Sequence, residues 1–162
     1  MAVTIDALVA DLADALRSRG LRIAAAESCT GGLIAAACTS LAGSSDWFER
    51  GFVTYSNEAK TGMLGVDAAL IAAHGAVSEA VVRAMAEGAL ARSAADLAVA
   101  VTGIAGPGGA VPGKPVGTVW IATARRGGAT VAERWQLGGD RAAVRTQSVE
   151  GALQRLLDRA QE

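Results

Sequence analysis

At 162 residues, with 51% hydrophobic and 19% charged, the chain is long enough to enclose one substantial apolar core and excludes a disordered protein. A formal net charge of -1 with scattered arginines provides no basic stripe to displace counterions, so a nucleic-acid partner is not expected. No apolar run reaches the roughly 18 residues of a membrane helix, and the first residues lack a basic segment followed by an apolar one; a cytoplasmic protein is expected.

Ile5, Leu8, Val9, Leu12 and Leu16 recur at helical spacing behind Thr4, a candidate cap, and Gly20 supplies a stop, which predicts an amphipathic first helix. A short strand is expected over 21–26, then a small-residue helix from Gly31 to about Leu41 and a Gly/Ser-rich loop over 42–50. Phe52, Val53 and Tyr55 predict a second strand over 51–56, followed by short helices through Lys60 and Leu70 and a longer one from Ser78 to Arg92. A third strand is expected over 96–101. Beyond a Gly/Pro loop over 103–115, strands over 116–124 and 130–137 flank Arg125-Arg126-Gly127-Gly128 as a hairpin. Val144, Val149, Leu153, Leu156 and Leu157 mark a closing amphipathic helix.

Strands alternating with helices predict a three-layer α/β/α domain whose first three strands are parallel through right-handed crossovers. The closing hairpin makes the sheet mixed but mainly parallel, and with no dividing linker residues 1–162 read as one domain. Open α/β sheets bind ligands beyond the carboxyl ends of their strands. The loops expected at that edge are 27–32, 55–60, 102–109 and, carried back by the hairpin, Gly138-Gly139-Asp140-Arg141.

Glu27-Ser28-Cys29-Thr30-Gly31-Gly32 offers a hydroxyl beside a helix start whose outward N–H groups would suit a phosphate; an ordinary capped helix start is the competing reading. The stretch is neither a P-loop nor a dinucleotide fingerprint. To act as a nucleophile Ser28 needs a base, and the chain has one histidine, His74, and two lysines, Lys60 and Lys114, against thirteen arginines. Arginine stays protonated, whereas a buried lysine can be neutral. Either residue alone would read as a helix-capping serine or a solvated lysine beside Glu58, but Lys60 is expected on the same rim as Ser28, and that meeting favours the pair. Tyr55, the sole tyrosine, either donates a hydrogen bond at that rim or packs.

Cys29, with Glu27 and Lys60, composes a rival Glu/Lys/Cys arrangement, unless it is simply a small buried hydrophobe. The Thr102–Gly109 loop can wrap a ligand and supply oxyanion donors, or merely connect strands. Gly43-Ser44-Ser45 and Arg141 offer phosphate contacts, or a loop cap and a surface charge. One histidine, no CxxC or HExxH spacing, and only Cys29 and Cys38 leave neither a zinc site nor a disulfide framework to expect.

The segments AESCTGG (26–32), AGSSDWFERGFVTYSNEAK (42–60), HGAVSE (74–79), TGIAGPGG (102–109), KPVGTVW (114–120) and GDR (139–141) together resemble the CinA C-terminal family across nearly the whole chain. The resemblance implies hydrolysis of the carboxamide of nicotinamide mononucleotide to nicotinic acid mononucleotide and ammonia, in pyridine-nucleotide recycling, with no metal or organic cofactor. It implies Ser28 as nucleophile, Lys60 as base and later proton donor, and Tyr55 as a supporting hydrogen-bonding residue. Thr102, Gly103 and Arg141 are implied in the substrate site, and Thr30, Gly31, Gly32, Ser44 and Ser45 as nucleotide contacts. A homo-oligomer is implied as well. The residues alone leave open a non-catalytic nucleotide-binding or interaction module, because a fold and an anion seat do not establish turnover.

Overall fold

The computed structural model describes residues 3–162. Helix α1 (Ile5–Arg19) starts where the Thr4 hydroxyl accepts the Ala7 N–H and stops at Gly20, whose φ of 63° is the left-handed conformation that favours glycine. Both boundaries fall where the sequence expects them. Leu8, Val9, Leu12 and Leu16 bury one stripe of this helix, each contributing about 1.5–3 kcal/mol by leaving water.

Strand β1 (Ile23–Glu27) is buried at every residue and leads through the Ser28–Gly32 turn into helix α2 (Leu33–Thr39). A single 3-10 turn, Ser44–Asp46, then precedes strand β2 (Phe48–Val53). The second strand therefore begins at Phe48, where the sequence suggested a loop, and ends before Tyr55, where it suggested a strand. β2 lies at the sheet edge, only partly covered along its length, so it lacks the apolar alternation that marks half-buried strands. Gly51 in its middle faces α2 closely: a Cβ there would lie 3.4 Å from Ala35 Cβ, in van der Waals contact.

Helices α3 (Asn57–Leu64), α4 (Ala68–His74) and α5 (Glu79–Ala91) follow, capped by the side chains of Ser56, Asp67 and Ser78. The chain closes with strands β3 (Leu97–Gly103), β4 (Thr118–Arg125) and β5 (Thr130–Gln136) and helix α6 (Arg141–Ala160), which Asp140 caps. The sheet order is β2-β1-β3-β4-β5, with β1 parallel to β2 and β3 and the last two pairings antiparallel. This is the mixed α/β/α arrangement expected, parallel at its centre.

Alternation along the central strands divides the core. Ile23, Leu97, Val99 and Val101 join Leu12, Leu16, Val149 and Leu153 of α1 and α6 on one face. Ala24, Ala26, Ala98 and Ala100 join Val81, Val82 and Met85 of α5 on the other. The alanine face lets α5 lie close to the sheet, which accounts for a core built from small aliphatics. Among the described residues no helix is long and apolar enough to cross a membrane.

Because β5 runs antiparallel to β4, it runs with β3 and delivers its carboxyl end, and the start of α6, to the edge where β1, β2 and β3 also end. The four expected loops share that edge.

Candidate active site

Ser28 is the first residue beyond β1. Its N–H donates to the Val101 carbonyl at 3.1 Å and its own carbonyl accepts the Gly31 N–H at 3.0 Å, which fixes its backbone against β3 and within the turn. Lys60 stands one turn into α3, and a helical side chain leans toward the helix N-terminus. That lean returns Nζ to 3.0 Å from the Thr54 carbonyl, 3.2 Å from the Tyr55 carbonyl and 3.0 Å from Ser28 Oγ. The residue is 1% exposed.

This coordination accommodates a neutral amine. The two carbonyls can only accept, so two N–H groups point at them, and the remaining tetrahedral position, a lone pair in the neutral form, faces the Ser28 hydroxyl. Burial pushes the Lys60 amine below its ordinary range by withdrawing the ammonium form from water. Among the described residues no carboxylate lies within ion-pair distance to oppose that effect. A serine hydroxyl beside a buried amine is an arrangement that can serve as a nucleophile with its base.

The pair lines a recess of about 250 Å³ together with Tyr55, Thr102, Gly103 and Arg141. Thr102 Oγ1 donates to the Ala76 carbonyl at 3.0 Å, tying β3 to the loop that starts α5. Gly103 has no room for a side chain, since a Cβ there would lie 2.7 Å from Val119 Cγ2. Arg141 spans the mouth: Nη1 donates to the Gly106 carbonyl at 2.9 Å and Nη2 to the Tyr55 hydroxyl at 3.4 Å. Tyr55 itself is 63% exposed, so its ring is not core packing.

A wider trough of about 710 Å³ adjoins the recess, shares Ala105 and Arg141 with it, and is flanked by Asp140 and Arg145. Arg145 is a rim residue that the sequence reading did not single out. From the second turn of α6 its Nε donates to the Cys29 carbonyl at 3.1 Å and its Nη2 to the Thr30 carbonyl at 3.5 Å. Its i, i+4 spacing from Arg141, on a helix whose start meets the rim, was the available signal. Asn57, Ala76 and Val77 also line the recess without having been singled out.

Two groups of expected contacts do not line the recess. The first amides of α2 are not free for a phosphate: Glu27 Oε1 accepts the Ile34 N–H at 2.9 Å and Oε2 the Ala35 N–H at 3.0 Å. The anion at this helix start is therefore Glu27, and Thr30, Gly31 and Gly32 form the turn behind Ser28 without lining the recess. Ser44 and Ser45 sit at the opposite edge, because α2 carries the chain back to the amino ends of the strands before β2 begins. There the Gly43 carbonyl accepts from Arg17 at the end of α1, and the six residues of β2 separate the turn from the site by roughly 20 Å.

The Cys29 alternative loses its partners to the same geometry. Glu27 is committed to α2, Lys60 is directed at Ser28, and burial pushes the Cys29 thiol up to about 11, which keeps it protonated near neutrality. Both cysteines are free and buried.

The chain is 56% identical over 142 residues to the nicotinamide-nucleotide amidohydrolase PncC of Escherichia coli, covering 88% of this chain and 86% of that protein. It is 51% identical over 150 residues to the protein of the same name from Enterobacter agglomerans, covering 93% and 92%. The crystal structure of the competence/damage inducible protein CihA from Agrobacterium tumefaciens superposes with a TM-score of 0.93 at 46% identity, covering 98% of each chain. The family model of the CinA C-terminal domain matches residues 5–160, and with that span joined to these identities the chain belongs to the CinA C-terminal domain family.

Proposed function

We propose that the protein hydrolyses the carboxamide of nicotinamide mononucleotide to the carboxylate and ammonia, with Ser28 as nucleophile and Lys60 as its base. One observation carries the catalytic half of this reading: a lysine amine, buried and held by two carbonyls, stands 3.0 Å from a serine hydroxyl at the carboxyl edge of the sheet. The substrate half comes from the two relatives named for amidohydrolysis of nicotinamide nucleotides.

Ser28 Oγ attacks the carboxamide carbon as its proton passes to Lys60 Nζ. The negative charge gathers on the carboxamide oxygen, which backbone N–H groups at Cys29, the turn residue lining the recess beside Ser28, and in the 102–109 loop receive. Collapse breaks the C–N bond, Lys60 returns the proton to the departing nitrogen, and ammonia leaves an ester on Ser28. Lys60, neutral again, takes a proton from water as it attacks that ester, then returns it to Ser28 Oγ as the Oγ–carbon bond breaks, releasing the acid and restoring both residues.

The recess of about 250 Å³ is smaller than the roughly 300–1,000 Å³ of typical ligand sites, so it accommodates the ring and carboxamide while the trough of about 710 Å³ takes the ribose phosphate. Arg141 and Arg145 supply cationic charge to that phosphate, and Tyr55, Thr102 and Gly103 bound the ring. The whole chain acts as one unit in the cytoplasm. Association into a homo-oligomer fits the open edge of β2, where Val53 is 46% and nearby Leu33 39% exposed.

Ammonia release from nicotinamide mononucleotide, measured beside free nicotinamide and a Ser28→Ala variant, tests the reading. Release from the nucleotide alone, lost in the variant, is the expected outcome. Nucleotide binding without ammonia would establish a binding module instead.

A further inference from the structure

Glu27 is the only carboxylate among the described residues that is fully buried, and no lysine, arginine or histidine pairs with it. A buried carboxylate without a cation is costly unless hydrogen bonds satisfy both oxygens. Here the first amides of α2 do so, at 2.9 Å and 3.0 Å. The helix has no other cap: Gly32 occupies the N-cap position with a φ of 104°, and no acidic residue lies in the first turn. Glu27 thus stabilises α2 from the far side of the turn it enters.

The consequence falls on Ser28. Glu27 closes a loop from the end of β1 to Ile34 and Ala35, and Ser28 is the first residue inside it. On the outer side Arg145 holds the Cys29 carbonyl, so the turn is gripped from beneath and from outside. The same engagement turns the carboxylate away from Lys60, whose amine meets only neutral oxygens. We propose, on the basis of the Ser28/Lys60 reading above, that Glu27 is a positioning residue: by spanning the turn it aims the Ser28 hydroxyl at the Lys60 amine and at the substrate carbon. The Glu27 side chain does not line the recess and takes no proton in the reaction.

Reach and charge are separable by substitution. Glu27→Gln keeps the reach and one acceptor, but its NH2 opposes the second N–H. Glu27→Asp keeps the charge and, one methylene shorter, cannot serve both amides. Misplacing a reacting atom by about 1 Å costs on the order of 100-fold in rate. The expected result is a kcat loss of about tenfold in Glu27→Gln and about 100-fold in Glu27→Asp, with KM changed by less than about twofold in both.

A serine-directed fluorophosphonate supplies the readout that a merely structural role would not move. Labelling of Ser28, followed by intact mass, should reach the same end point as in the unsubstituted enzyme, at rates reduced in the same order. A Glu27→Asp variant as fast as the unsubstituted enzyme overturns the proposal, because charge alone would then suffice. So does a reduced labelling end point at an unchanged rate, which would mean that Glu27 only maintains folding. The labelling needs no nucleotide, so failure of the clamp is distinguishable from failure of the nucleotide to serve as substrate.

Discussion

Replacing Lys60 by methionine isolates the amine, because methionine is a comparable unbranched chain without donors. Two effects follow from the surroundings of Nζ. The first is catalytic: a positioned general base contributes about 10²–10⁴-fold, so the loss in kcat should correspond to about 3–5.5 kcal/mol of activation free energy. The second is a pH signature in stability, and its sign follows from the direction of the Lys60 shift. Burial lowers the amine's folded-state value below that of the unfolded chain. Below the folded value both states carry the proton and the buried ammonium destabilises the fold fully. As pH rises through that value the folded state releases its proton while the unfolded state keeps it. Stability then climbs by up to about 1.4 kcal/mol per pH unit until the unfolded lysine titrates near pH 10.4.

The methionine variant has no such climb. Urea unfolding of both proteins at intervals from pH 6 to pH 10.5, with ammonia release at neutral pH, reads both effects. The stability difference must move toward the unsubstituted enzyme as pH rises, whatever its value at neutrality, where the orphaned Thr54 and Tyr55 carbonyls also contribute. Activity of the unsubstituted enzyme must rise with pH on its acid limb, since only the neutral amine accepts the Ser28 proton. A pH-independent stability difference would refute the buried, depressed amine. A Lys60→Met variant within about tenfold of full activity would refute its role as base.

Cys29→Ala should retain kcat within about tenfold, since burial keeps its thiol protonated near neutrality and the Lys60 amine is engaged with Ser28; loss of all ammonia release would reinstate the cysteine as nucleophile. Arg141→Met should raise KM for the nucleotide by about 10–100-fold, the worth of a charge-assisted hydrogen bond, and remove any preference over the phosphate-free riboside in competition kinetics. Thr102→Val conserves shape but orphans the Ala76 carbonyl that accepts from Thr102 Oγ1 at 3.0 Å. A loss of about 2 kcal/mol is expected, lowering the calorimetric midpoint by about 4–8 °C.

What the sequence made legible was decided by whether the signal was local. Thr4 and Gly20 bound α1 through hydrogen bonds within a few residues, so its ends could be read in one dimension. The meeting of Ser28 with Lys60 is 32 residues long-range, yet it too was legible, because parallel strands oblige their following loops to share an edge. β2 was misplaced because its edge position removes the alternation.

The start of α2 is more instructive. Helix propensity and the macrodipole indicate that a negative group belongs at the start of α2, and one is there. No local rule says whether that charge arrives with a ligand or from the preceding strand. β1 ends at Glu27, six residues before α2 begins, and the tight Ser28–Gly32 turn folds the chain back far enough for the glutamate to reach. Once Glu27 occupies that seat, an incoming phosphate has to find its charge elsewhere on the rim. The available cations there are Arg141 and Arg145, both on the first two turns of α6. On the proposed mechanism, the helix behind the turn fixes Ser28 as nucleophile, and the helix across the recess receives the substrate.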